Sequence, residues 1–269
     1  MFDVMELLRY PVKSMAPVSV ASAATERRGF RGDRRWMLVD QVSGLFLTGR
    51  RYPQLVRISL EEEQQGIVLR LGADTLRVPR PDAMSTIVTV RVWKDTCEAS
   101  DAGDDAAEWL SERIGHSVRL VYQRDDQHRW LSPERRYADG DEVSWADGYP
   151  LLLIGSGSLA DLNERLDMPV SMRHFRPNIV ARVAQPFLED EWQMIRIGEA
   201  TFRVGSPCAR CIFTTVDPGS GIRDANREPL ETLRSYRKMD ETQKIYFGVN
   251  LIPVVTGRVN VGDQIEVID

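Results

Sequence analysis

Ser206-Pro-Cys-Ala-Arg-Cys-Ile-Phe-Thr-Thr-Val-Asp217 is the stretch on which the reading of this chain turns. Cys208 and Cys211 stand in Cys-x-x-Cys spacing, and four chemistries are compatible with it. Half of a zinc site is one. A structural zinc takes four ligands, however, and beyond the pair only Cys97 and the scattered His116, His128 and His174 remain. A thioredoxin-type couple is the second; that motif opens a helix after a strand, whereas Ile212-Phe-Thr-Thr-Val216 reads as a strand-forming run. Two partly buried thiols without a role are the third. The fourth is one thiolate ligating a soft transition metal, helped by the cation of Arg210, since a nearby positive charge favours the thiolate. The pair alone does not choose among them.

The rest of the chain narrows the setting. With 269 residues, 42% hydrophobic and 28% charged, the composition is that of a soluble globular protein with room for two domains or one large β domain. A formal charge of −5 lacks the basic excess of a nucleic-acid protein, so no nucleic-acid partner is expected, although local basic clusters can still hold an anion. No apolar run reaches the roughly 18 residues that cross a bilayer, and no membrane partner is expected. Met1-Phe-Asp-Val-Met-Glu-Leu-Leu8 reads as a first strand and not as a signal peptide. Three cysteines are too few and too odd in number for a disulfide framework, which points to a reducing, cytoplasmic location.

Alternating apolar and polar runs divided by turn residues predict half-buried strands at Arg35–Asp40, Val56–Leu60, Ile67–Leu71, Leu76–Val78 and Ile87–Val92. Gly66 and Gly72-Ala-Asp74 supply turns. A helix is predicted over Ala102–Ile114, stopped by Gly115. Arg124–Val143, charged and poor in aliphatics, reads as a long loop. A strand at Pro150–Ile154 is expected to lead into a helix capped by Ser158, with Leu159, Leu162 and Leu166 as its inner stripe. Another helix opens with Pro229 and turns Leu230, Leu233 and Tyr236 inward; two short strands close the chain over Val254–Val267. The fold class is therefore mostly β with some helix, α+β, divided at 1–123 and 124–269. The arginine pairs Arg27-Arg28, Arg50-Arg51 and Arg135-Arg136 read as solvated surface, and Asp217 before Pro218 as a turn residue.

Extended to Gly221, the opening stretch resembles the signature of the MOSC domain, which is named after the C-terminal domain of molybdenum cofactor sulfurases. Tyr10-Pro-Val-Lys-Ser14, Gly32-Asp-Arg-Arg-Trp36, Ser158-Leu-Ala-Asp-Leu-Asn163, Phe175-Arg-Pro-Asn178, Glu228-Pro-Leu-Glu-Thr-Leu233 and Phe247-Gly-Val-Asn250 extend the likeness in order. They are similar to one branch, the mitochondrial amidoxime-reducing components and their bacterial relatives. The resemblance implies an N-terminal β-barrel domain followed by a MOSC β-barrel domain decorated with helices.

It also implies a molybdenum cofactor (Mo-molybdopterin), with Cys211 as catalytic metal ligand and Cys208 as the spare thiol. Ala209 and Arg210 would line the cofactor. Lys13, Ser14, Arg34, Arg176, Asn178 and Asn250 fall among the family's contacts to the pterin and its phosphate, and the turn holding Asp147 and Gly148 approaches it too. Arg50 is a further residue that can face the site. The residue types suit the task, because arginine meets phosphate through paired, charge-assisted hydrogen bonds. At family level, pyridoxal phosphate binding is implied as well. The implied activity is reduction of N-hydroxylated compounds: amidoximes, hydroxylamines and N-hydroxylated bases. The alternative is a non-catalytic carrier delivering the cofactor or sulfur. No cysteine follows Cys211 in this sequence, so no iron–sulfur cluster is expected after it, and a separate electron-donor protein, ferredoxin-like or a reductase, is expected.

Overall fold

Leu151–Gly155 is buried at every position, as a strand covered on both faces must be. In the computed structural model, which describes residues 2–268, it pairs in parallel with Ile179–Arg182. A parallel pair needs a crossover, and the helix Ser156–Asn163 begins it. On its other edge the same strand pairs antiparallel with Lys244–Val255. Following the pairing outward closes a ring: Ile179–Arg182, Phe2–Arg9, Gln264–Ile268, Met194–Ile197, Ala200–Arg210 and Lys244–Val255 return to Leu151–Gly155. Its interior is filled by inward residues including Leu7, Leu153, Ile179, Ile195, Phe202, Val249 and Ile265. The chain's first strand thus completes a barrel otherwise built from its second half, and Ser22–Glu26 likewise pairs with Arg258–Asn260.

Residues 36–122 build a second core. Trp36–Asp40, Val118–Tyr122, Asp95–Asp101 and Ile87–Val92 form one sheet, and Ser59–Glu63, Gly66–Leu71 and Asp74–Pro79 form a three-stranded meander. The helix Asp104–Ile114 buries Ala106, Leu110 and Ile114 against Trp36, Leu38, Leu69 and Leu120. Gly115, at φ 71°, ends it in the left-handed conformation that glycine adopts without a Cβ penalty. Residues 123–150 form a long loop that contains the expected Arg124–Val143 segment and extends past it; it carries one isolated strand pairing, Trp130 with Glu142.

Four local expectations are corrected. Ile212–Thr215 is a 3-10 turn and not a strand. The Thr214 N–H and hydroxyl both donate to the Cys211 carbonyl at 3.0 Å, and the Thr215 hydroxyl donates to that of Ile212, local bonds that compete with a sheet ladder. The helix expected from Ser158 starts at Ser156; the buried Ser158 hydroxyl instead donates to Glu189 at 2.6 Å and accepts from the Phe187 N–H at 2.8 Å. Val56–Leu60 is split between a 3-10 turn, Pro53–Arg57, and the strand Ser59–Glu63, because Pro53 fixes the backbone for a turn. Arg28, read as solvated surface, is buried and pairs with Glu142 at 3.1 Å.

Candidate cofactor site

A cavity of about 180 Å³ lies where the barrel rim meets the second core. All eleven residues singled out from the sequence line it: Lys13, Ser14, Arg34, Asp147, Gly148, Arg176, Asn178, Ala209, Arg210, Cys211 and Asn250. They arrive from separate elements. Lys13 and Ser14 follow the first strand, Arg34 sits in the turn before Trp36–Asp40, Arg176 and Asn178 precede Ile179–Arg182, Ala209 and Arg210 end the long strand, and Cys211 follows it. Arg50 joins them, adding a fifth cation to Lys13, Arg34, Arg176 and Arg210 against the single lining carboxylate of Asp147.

That surplus is built in. Asp147 accepts from Lys13 Nζ and, at 3.0 Å, from Arg50 Nη2. Lys13 and Arg50 hold the Asp147 carboxyl, whose side chain is about half exposed, well below the usual carboxylate range. Burial lowers the Lys13 ammonium from 10.5 to about 8, with Asp147 opposing; its Nζ also donates to the Trp145 carbonyl at 2.6 Å. Arg34 pairs with Asp33 behind the cavity wall. Arg176 and Arg210 have no carboxylate partner among the described residues. Arg176 Nη2 and Arg210 Nε are buried without any hydrogen-bond partner, and desolvation pulls Arg176 down to about 10. Arg34 and Arg176 flank the buried Tyr10 ring, at 4.5 and 4.2 Å from its centroid. Burial pushes the Tyr10 phenol up to about 12, with both arginines opposing. Orphaned buried guanidinium nitrogens beside a polar cavity call for an external anion.

The two cysteines differ. Cys208 lies on the strand Ala200–Arg210, and Arg210 Nη1 donates to its Sγ at 3.0 Å. The cation expected to assist Cys211 therefore meets the other sulfur, because residues two apart on a strand share a face. Arg210 Nη2 meanwhile donates to the Phe175 carbonyl at 2.6 Å. Cys211 caps the 3-10 turn and faces the cavity. Among the described residues no group of three or more His, Cys, Asp or Glu could hold a metal ion. A metal at Cys211 must therefore bring most of its ligands with it, which a four-ligand zinc site does not do.

Two domain models match this sequence: the MOSC N-terminal beta barrel domain over residues 1–117 and the MOSC domain over residues 140–266. Mitochondrial amidoxime-reducing component 1 of Danio rerio is 37% identical over 254 residues, 90% of this chain and 76% of its own length. Mitochondrial amidoxime reducing component 2 of Bos taurus is 35% identical over 277 residues, 97% and 82%. Component 1 of Homo sapiens is 34% identical over 281 residues, again 97% and 82%. This chain belongs to the amidoxime-reducing component family of MOSC proteins. In this MOSC protein every barrel strand but Phe2–Arg9 starts within the MOSC match, and the unmatched residues 118–139 hold the last strand of the second core and most of the long loop.

Sequence reasoning missed part of the wall. Thr48, Gly49, His174, Phe213 and Thr214 also line the cavity. A Cβ on Gly49 would lie 2.2 Å from the Phe213 ring, so glycine is needed for that ring to pack beneath Arg176, 5.5 Å away. Asn178 reaches the cavity chiefly through Arg34. Its amide oxygen accepts from Arg34 at 3.0 Å and from the Leu152 N–H at 3.3 Å, and its amide nitrogen donates to the Leu8 carbonyl at 3.1 Å. Asp217, as expected, accepts from the Gly219 and Ser220 N–H groups of its own turn. Ser14, Arg34 and Arg176 all hold positive φ, at 70°, 48° and 59°. Such backbone is uncommon for non-glycine residues and costs about 1–3 kcal/mol each. Strain gathers where these side chains must point.

Proposed function

We propose that this MOSC protein is a molybdenum-cofactor-dependent reductase of N-hydroxylated compounds, supplied with electrons by a separate donor protein. One observation carries the reading: a cavity with five cations and one carboxylate, holding orphaned guanidinium nitrogens, opens on a cysteine. The residues fit a molybdenum cofactor. Its phosphate and pterin suit Lys13, Arg34 and Arg176 as cations, with Ser14, Gly148 and Asn250 as neutral partners, while the Cys211 thiolate suits its metal. When bound, the cofactor supplies the two-electron chemistry by which an amidoxime, with two protons, becomes an amidine and water.

The chain's own residues do the positioning. Arg176, without a carboxylate, keeps its donors for an incoming anion. Lys13, lowered to about 8, stays an ammonium at neutral pH and adds a point charge. Tyr10 and Phe213 pack under Arg176 and exclude water from its buried side, which strengthens each charge-assisted bond above them. Asp147 restrains Lys13 and Arg50 at the cavity mouth. Division into an N-terminal domain, 1–123, and a MOSC domain, 124–269, is part of the same proposal.

The names of the relatives refer to mitochondria and lend nothing to the cytoplasmic expectation or to a pyridoxal phosphate role. No described helix is long and apolar enough to cross a membrane. The test is Cys211→Ala: molybdenum content and dye-driven reduction of benzamidoxime should fall together to background. Retention of both by the variant sinks the proposal. Wild-type protein that holds the cofactor but reduces no N-hydroxylated compound is instead a carrier.

A further inference from the structure

A second, larger chamber of about 820 Å³ adjoins the cavity and opens to solvent. The two share a wall that includes Arg50, Asp147, Tyr149, Ala209 and Asn250. Its size falls within the range of small-molecule sites, roughly 300–1,000 Å³. Its lining carries five cations and three carboxylates, two of which are paired as Arg50–Asp147 and Arg129–Asp95, a balance that disfavours a cationic occupant. Its large apolar groups include Trp93, Trp130, Tyr149, Tyr246 and Met239. Trp93 is 45% and Trp130 57% exposed, a combination that mostly marks binding surfaces when it lines a concavity.

Both indoles are held for use. Trp93 is the first residue of the two-residue turn between Ile87–Val92 and Asp95–Asp101, at φ 57°, a position that such hairpins give to glycine. Its ring is fixed against Phe46 at 4.9 Å and under the Arg50 guanidinium at 4.7 Å. Trp130 stacks on His128 at 4.9 Å with 6° between the planes, and His128 is itself bonded to Glu142 at 2.8 Å. The backing imidazole fixes the plane of the indole while most of it stays exposed.

We propose that this chamber binds the uncharged, planar aromatic body of the substrate, stacked on Trp130 and bounded by Trp93, with the N-hydroxyl end turned toward the shared wall. The direction of the reacting end rests on the reductase reading; binding of the aromatic body does not. The test is calorimetric titration of purified, cofactor-loaded protein with benzamide and acetamide, beside turnover of benzamidoxime and acetamidoxime. Benzamide should bind at least about tenfold more tightly than acetamide. Trp130→Ala should cut that preference about tenfold, in line with stacking on an aromatic side chain, and Trp130→Phe should keep most of it. The exposed position of Trp130 leaves the buried cores intact in both variants. Equal binding of the two amides, or a preference unmoved in Trp130→Ala, overturns the proposal. Trp130-dependent benzamide binding without benzamidoxime turnover supports the chamber and removes the reductase reading. Turnover with Trp130-independent benzamide binding does the reverse.

Discussion

Replacing Arg176 by methionine should separate what the site costs the fold from what it does for the ligand. The guanidinium is pulled from 12.5 to about 10 by desolvation, and at about 1.4 kcal/mol per tenfold in acidity this sets a ceiling of ~3 kcal/mol on the strain of keeping it charged. Residual exposure and the lost stacking on Tyr10, about 0.5–2 kcal/mol, reduce the net gain to ~0–2 kcal/mol. Methionine keeps the apolar contact with Tyr10 and Phe213. The cofactor-free variant should therefore melt at or a few degrees above the wild type, at roughly 2–4 °C per kcal/mol for a chain of this size. Binding moves the other way. A charge-assisted hydrogen bond contributes about 1.5–3 kcal/mol, so affinity for pyrophosphate, a simple phosphate probe, should drop roughly ten- to hundredfold. Differential scanning calorimetry and isothermal titration read the two effects. A cofactor-free melting point several degrees lower with unchanged pyrophosphate affinity would instead make Arg176 an ordinary structural arginine.

Other outcomes follow from the same geometry. Because Lys13 titrates near 8 when folded but at 10.5 when unfolded, the unfolded chain binds more protons between those values, so cofactor-free stability should rise with pH across that window. Phosphate binding should weaken over the lower part of the same range as the charge is lost; Lys13→Met should remove both trends in titrations from about pH 7 to 9, below the range in which Arg176 titrates. Gly49→Ala drives a methyl into Phe213 and should lower cofactor loading, measured as molybdenum per chain, by displacing the ring under Arg176. Asn178→Ala removes a buried amide with three partners and should destabilise the fold by about 2–3 kcal/mol in urea denaturation; a change below about 0.5 kcal/mol contradicts its role in joining the strands.

Much of the site was legible because its chemistry is local to short motifs. Tyr10-Pro-Val-Lys-Ser14, Phe175-Arg-Pro-Asn178 and the cysteine segment each present residue types that suit an anion or a soft metal, and the structure gathers them around one cavity. What stayed hidden depends on partners far along the chain. Arg28 reads as half of a surface pair until Glu142 arrives from the long loop to bury it. That Phe2–Arg9 completes the barrel is invisible in its own alternation, since a strand's pattern shows a buried face and not its neighbours. Arg210 was readable in principle: a strand running to residue 210 puts its side chain beside Cys208. The run after Cys211 misled, because Ile, Phe and Thr favour strands while Thr214 and Thr215 fold their hydroxyls back on the turn. Positive φ at Ser14, Arg34, Trp93 and Arg176 leaves no trace in residue type.

We propose that Cys211, and not Cys208, holds the metal. X-ray absorption at the molybdenum edge, on cofactor-loaded wild type and on Cys211→Ser loaded in parallel, tests it most directly. One sulfur fewer is expected around molybdenum in the variant, and an unchanged environment in Cys208→Ser. Loss of the sulfur in Cys208→Ser with Cys211→Ser unaffected would contradict it.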